Sequence, residues 1–164
     1  MQMYYTEFES PLGRLRLLAD EHCLHGVFFE NHQHHEFKPS WQRRDDLLIF
    51  QQVQQQLQEY FDGQRRSFEL ALATVDGTAF QQEVWQALRS IPYGQTCSYG
   101  ALAQKIGRPK AVRALGAANG RNPLSIIVPC HRVIASNGDL QGYAGGLARK
   151  LKLLEIERNA SKMA

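Results

Sequence analysis

Residues 126–134 read IIVPCHRVI, a cysteine and a histidine side by side between two apolar runs and behind a proline. A free thiol has a pKa of ~8.5 and reacts as the thiolate, so a cysteine that works at neutral pH needs a base or donor beside it. His131 is the candidate base for Cys130. Pro129 disfavours helix just before it, and the apolar run LSIIV reads as a buried strand, so Cys130 and His131 are expected on a turn at a strand end. Adjacent strand residues point to opposite faces, and the two side chains meet only if the turn brings them round. A proton-accepting base is commonly oriented by an acid, and the C-terminal helix GGLARKLKLLEIE offers Glu155 and Glu157. Between thiol and acids lies GDLQGYAGG, by composition an ordinary hairpin, whose glycines permit close backbone approach and whose Tyr143 could wall a planar pocket. Three chemistries fit these residues: a cysteine hydrolase, a redox thiol protein, or a nucleophile directed at DNA.

Composition narrows the setting. The 164 residues are 43% hydrophobic and 21% charged, the balance of a globular chain, and no apolar run nears the ~20 residues of a membrane span. The start, MQMYYTEFESPLG, has no basic region followed by an apolar core, which points to the cytoplasm and not to export. Cys23, Cys97 and Cys130 are odd in number and form no CxxC pair; reduced thiols are expected, with Cys23 and Cys97 as small hydrophobes. The histidines around Cys23 (His22, His25, His32, His34, His35) show no matched ligand set and read as a surface loop, with no metal and no cofactor expected. Charge is segregated: residues 1–77 carry seven Lys/Arg against twelve Asp/Glu, residues 78–164 twelve against four. A basic half attracts polyanions, and neutralisation of phosphates by Lys and Arg is the general source of nucleic-acid affinity.

The elements that must hold the site follow from periodicity. Residues 3–29 alternate as three strands (YYTEFES, LGRLRLLAD, CLHGVFFE), Arg43 to Phe61 has helical spacing stopped by Asp62-Gly63, and Arg65 to Gly77 reads as a last strand leading into a linker. The second part opens with Thr78 and Gln81 as a capping box for AFQQEVWQALRSI, ended by Pro92. Ser98 then caps YGALAQKIG, Gly107 closes it, and Arg108-Pro109 turns into KAVRALGAANG, a helix-turn-helix pattern. With Val112, Leu115 and Ala118 inward, the second helix turns Arg113, Gly116, Ala117 and Gly120 outward, one long cation beside nearly bare backbone. Such a face suits either close approach to a partner or tight packing inside the protein. The expected architecture is α+β: a small antiparallel sheet with a covering helix over 1–77, and a mainly helical, winged helix-turn-helix-like unit over 78–164.

The run PCHRVI, preceded by RNPLSIIV and followed by GYAGGLARK, closely resembles the active-site signature of the O6-alkylguanine-DNA alkyltransferases, the methylated-DNA-protein-cysteine methyltransferases. The resemblance extends through TAFQQEVWQALRSIPYGQTCSYGALA and KAVRALGAANGRNP, covering residues 78–158; the N-terminal part resembles the family in general layout. It implies irreversible transfer of an alkyl group from guanine O6, and from thymine O4, to the protein's own cysteine without a cofactor. By motif it assigns Cys130 as nucleophile, His131 as the base passing the proton through a water to Glu157, and Asn122 as holder of the active-site turn. Tyr99 would donate to the flipped guanine and press on the adjoining phosphate. Arg113 would fill the vacated stack, Gly116, Ala117 and Arg121 would lie against DNA in the minor groove, and the backbone around Val133 and Ala144, with Tyr143, would receive the base. The implied partner is alkylated double-stranded DNA bound by a monomer, with no membrane. Non-catalytic relatives, damage sensors, have tryptophan where this chain has Cys130. Ala144 and Arg158 stand where other members can have serine and glycine.

Overall fold

The computed structural model describes residues 1–74, 76–138 and 143–162. Strands β1 (Tyr4–Ser10), β2 (Gly13–Ala19) and β3 (Leu24–Phe29) form an antiparallel meander, and a two-residue strand, β4 (Gln42–Arg43), pairs parallel to β1, giving the order β3-β2-β1-β4. The β1–β2 turn is tight because Gly13 adopts φ +106°, a region that costs a residue without Cβ nothing. Helix α1 (Leu48–Phe61) lays Ile49, Phe50, Val53, Leu57 and Tyr60 on the sheet, a 3–4 spacing that puts all five on one buried face.

Two expectations for this part are corrected. The helix starts at Leu48 and not near Arg43, because the preceding residues are held extended. The Thr6 hydroxyl donates to Asp45 at 2.6 Å, Arg44 pairs with Asp46 at 2.9 Å, and Arg44 N–H bonds back to Tyr5. The described residues of 65–77 contribute a bridge at Leu72 and no strand. Leu24 exchanges hydrogen bonds with Ala71 and Ala73, but the next free N–H of β3, that of Val27, donates to Pro123 O at 2.9 Å, and Val27 O accepts from Ser125 N–H. The open edge of the sheet is thus taken over by the segment leading to Cys130, which ties the sheet to the chain around the thiol.

Helix α2 (Ala79–Leu88) begins with the full capping box, Thr78 Oγ1 accepting from Gln81 N–H and the Gln81 side chain accepting from Thr78 N–H. It ends before Pro92: the N–H groups of Arg89, Ser90 and Ile91 bond three residues back, and Ile91 O is captured by the Arg132 guanidinium at 2.7 Å. Strand β5 (Cys97–Ser98) leads into α3 (Tyr99–Lys105), capped by Ser98 and closed by Gly107 at φ +75°. Then comes α4 (Val112–Gly120), whose buried residues are Leu115, Ala118 and Asn119. Val112, expected inward, is 39% exposed at the first position of the helix, and Asn119, two turns on, is buried. The Trp85 indole donates to Ala118 O at 2.9 Å, a buried bond fixing α4 on α2. A 3₁₀ turn (Cys130–Arg132), β6 (Val133–Ile134) paired parallel to β5, and α5 (Leu147–Lys162) complete the described chain. No helix among the described residues is long and apolar enough to cross a membrane.

The capping box is exposed and touches nothing in the site, so Thr78→Ala should lower stability by about 1 kcal/mol, or a Tm drop of about 2–4 °C. Thermal unfolding reads this directly; an unchanged Tm would mean that the box contributes nothing to α2.

Candidate active site

The chain from Leu124 to Arg132 is a succession of tight turns and not the expected strand. Val128 N–H donates to Leu124 O, Ile127 and Cys130 each donate two residues back, and Arg132 N–H donates to Pro129 O. Ile126, a β-branched residue, sits at φ +72° while almost fully buried. Such a conformation costs on the order of 1–3 kcal/mol and persists only where the surroundings over-determine it. Here they do. Asn122, buried, donates through Nδ2 to Val128 O at 2.9 Å and accepts from Leu124 N–H at 3.0 Å, so one side chain spans the turn before the cysteine. From the inner face of α4, Asn119 Nδ2 donates to Cys130 O at 3.3 Å.

Cys130 is 3% exposed, and burial pushes its thiol up to about 11, the Asn122 side chain and the Lys150 charge pulling the other way. His131 is fully buried. Its Nε2 lies 2.6 Å from Glu157 Oε2, a direct contact that leaves no room for the water expected between them. Burial alone would raise the Glu157 carboxyl, but the hydrogen bonds and charges of His131 and Arg132 bring it down to about 2. An ionised carboxylate only accepts, so Nε2 carries the proton. Nδ1, buried without a partner among the described residues, then holds the lone pair. Burial lowers the His131 pKa below its ordinary 6.5, Arg132 and Lys150 adding to this against the pull of Glu157. The imidazole at neutral pH is a neutral base with its acceptor nitrogen free.

Among the described residues, Glu157 accepts five hydrogen bonds. Oε2 receives His131 Nε2–H, Tyr60 O–H at 2.7 Å and Arg132 Nη2–H at 3.1 Å; Oε1 receives Arg132 Nε–H at 2.9 Å and Gly94 N–H at 3.1 Å. Glu155, the other candidate acid, pairs loosely with Lys152 at the surface. Three residues of this arrangement were not singled out from the sequence: Arg132, Tyr60 and Lys150. The fully buried Lys150 donates to Val133 O at 2.6 Å and lies 5.9 Å from the Tyr99 ring centroid. A signal for it existed: Lys150, Leu153, Glu157 and Ala160 form the buried stripe of α5, and charges at two core-facing positions mark groups held for a reason.

The remaining site residues fall on two sides of the thiol. Parallel pairing of Cys97 with Val133 and Ser98 with Ile134 brings the start of α3, and so Tyr99, to the cysteine turn. Burial raises the Tyr99 pKa, with Cys130 adding to the rise, so the hydroxyl stays protonated and able to donate. Tyr143 and Ala144 are buried; the Tyr143 ring meets Phe29 edge-on at 6.4 Å, and Ala144 O accepts from Gln33 N–H. Residues 139–142 of the glycine-rich hairpin lie outside the described residues. Arg113 and Ala117 are exposed on α4, Gly116 and Gly120 half-buried beside them, and Arg121 exposed at its end. Gly116 faces the Tyr99 ring, which a methyl group placed there would meet at 3.9 Å. Among the described residues, no three His, Cys, Asp or Glu are grouped to hold a metal.

Fold and site together define a helix-turn-helix domain built over a buried cysteine-histidine-glutamate set, backed by a small sheet domain. The chain belongs to the 6-O-methylguanine DNA methyltransferase family: residues 3–74 match its ribonuclease-like domain and residues 79–159 its DNA-binding domain. It is 49% identical to a methylated-DNA–protein-cysteine methyltransferase of Methanosarcina acetivorans, over 94% of this chain and 98% of the relative. The like-named protein of Haemophilus influenzae is 45% identical over 95% of this chain and 87% of its own length. Among solved structures, that of Mycobacterium tuberculosis OGT in complex with DNA superposes with a TM-score of 0.89 at 43% identity, covering 96% of this chain and 94% of that one.

Glu157 gives the site a pH signature. A carboxyl depressed to about 2 in the folded protein, against an ordinary 4.5, stabilises the fold above the ordinary value, and that contribution is lost as pH falls toward 2. Glu157→Gln leaves Arg132 buried without its counter-charge and should cost about 3–5 kcal/mol at neutral pH. The gap between wild type and variant, followed by urea unfolding, should narrow as the pH is lowered; a gap independent of pH would show that the charge of Glu157 does not stabilise the fold.

Proposed function

We propose that this protein repairs DNA by moving an alkyl group from guanine O6 in a duplex onto Cys130, once per molecule. The observation that carries the reading is the bond from Asn119 to Cys130 O: the helix that exposes Arg113 beside small residues holds the nucleophile on its inner face. A thiol that is 3% exposed cannot reach a stacked base, so the base must leave the helix and come to it. The small residues of α4 allow its backbone into a groove, the minor groove by resemblance, and Arg113 fills the space that the extruded base vacates. Extrusion costs a few kcal/mol, which an inserted side chain partly offsets.

In the reacting complex, His131 Nδ1 takes the thiol proton, directly or through one water, and the sulfur attacks the alkyl carbon in line with the departing O6. The S–C bond forms as the C–O6 bond breaks, and the electron pair passes to the guanine, where the Tyr99 hydroxyl donates to the ring as charge develops. Val133, Tyr143 and Ala144 line the receiving side, and Arg121 meets the backbone beyond α4. The product is a thioether, a bond stable to hydrolysis, so each chain reacts once. On this reading residues 1–77 and 78–164 are two lobes of a cytoplasmic monomer whose cysteines stay reduced, and thymine O4 lesions are a second substrate.

Mass spectrometry after mixing with excess duplex bearing one O6-methylguanine should show a gain of one methyl, confined to the Cys130 peptide. No gain with DNA still bound would make the protein a damage sensor, and turnover on an ester without DNA would make it a hydrolase. Arg113→Ala should slow repair of the duplex by at least about tenfold more than reaction with a free alkylated guanine, since only the duplex pays for extrusion. Equal losses on both substrates would rule out the insertion role.

A further inference from the structure

The buried face of α1 ends in Tyr60, a fully buried residue whose ring packs against Phe61, Phe68 and Tyr93, as an ordinary core aromatic would. Its hydroxyl does something else. It donates at 2.7 Å to Glu157 Oε2, across 97 positions of sequence, and that oxygen is the one that accepts Nε2–H of His131. From this geometry we infer that Tyr60 is a positioning residue of the N-terminal domain for the proton acceptor: it clamps Glu157 Oε2 and sets how strongly the carboxylate draws on His131.

The physical argument is one of sharing. Two strong donors on one carboxylate oxygen compete for the same electron density, and each weakens the other's bond. With Tyr60 in place, part of the Oε2 charge is spent on the phenol, and His131 is held in orientation without being stabilised as imidazolium. Removing the phenol hydroxyl returns that density to the His131 bond, which favours the protonated ring and withdraws the base at the acid end. The other charged or titratable groups around the pair are Arg132 on the 3₁₀ turn, Lys150 on α5, Tyr93 in the loop after α2, and Cys130 itself. None of these bonds is made by the Tyr60 hydroxyl, so a change confined to that hydroxyl isolates its effect. The Tyr60 pKa is raised well above its ordinary value, first by burial and then by Glu157, so the hydroxyl remains a donor throughout the working range. The inference gives the N-terminal domain a chemical duty in the transfer proposed above, on which it rests.

The test is Tyr60→Phe, which keeps the ring and removes the hydroxyl, read by the pH dependence of single-turnover transfer and by NMR titration of the His131 ring without DNA. The acidic limb and the ring titration should both move up by about half a pH unit or more. A rate lowered evenly at every pH, with the titration unmoved, would mean that Tyr60 only packs, and would overturn the inference. If the variant does not fold, 3-fluorotyrosine at position 60, a stronger donor of nearly the same shape, should move both limbs down; unmoved limbs overturn the inference equally. A wild type that transfers nothing would remove the proposed function, whereas the ring titration would still decide what Tyr60 does.

Discussion

A carboxylate that is almost completely buried is tenable only if nearly every lone pair is used, and the structure around Cys130 is organised by that requirement at Glu157. Its five donors come from α1, the loop after α2, and the turn that carries the histidine. Each donor is itself fixed: Arg132 also grips Ile91 O, which fixes the chain just beyond α2, and Tyr60 is locked in the core of the N-terminal domain. The acid therefore draws three separate stretches of chain to one point, and His131 takes its tautomer and orientation from that point.

Electrostatics then make the resting site quiet. A thiol pushed to about 11 beside an imidazole held below its ordinary 6.5 leaves proton transfer uphill by several kcal/mol, so thiol and neutral imidazole are the resting forms. A standing thiolate would be open to oxidants and stray electrophiles, a poor property in the single-use nucleophile proposed above. In the transfer proposed above, the buried thiol would instead gain reactivity when a base enters, contacts Tyr99, and makes the departure of its oxygen favourable. Lys150, whose charge lowers the pKa of the thiol, keeps that barrier from being larger.

Much of this was legible in the sequence, and the failures have physical causes. The meander, the capping box at Thr78, and the Ser98 and Gly107 boundaries of α3 are set by local chemistry, and the structure has them as read. The run LSIIV misled because its apolar residues are buried in tight turns held by Asn122, with Ile126 left-handed, a conformation that β-branched composition argues against. Residues 65–77 failed as a strand because their partner edge was taken by residues 123–125, a competition between segments some fifty residues apart. For the site, Cys130, His131 and Glu157 were named, but a direct bond replaces the expected water between the last two. The contribution of Tyr60 was invisible, since a tyrosine on an apolar helical stripe reads as core until the fold shows where its hydroxyl ends.

The central claim is that Glu157, ionised and saturated with donors, holds His131 neutral with its proton on Nε2 and its lone pair on Nδ1. Nitrogen-15 NMR of the His131 ring in the DNA-free protein at neutral pH tests this directly. The account predicts one protonated nitrogen, Nε2, and an unprotonated Nδ1. A ring protonated on both nitrogens, or the opposite tautomer, would contradict it, because His131 would then have no lone pair with which to take the thiol proton.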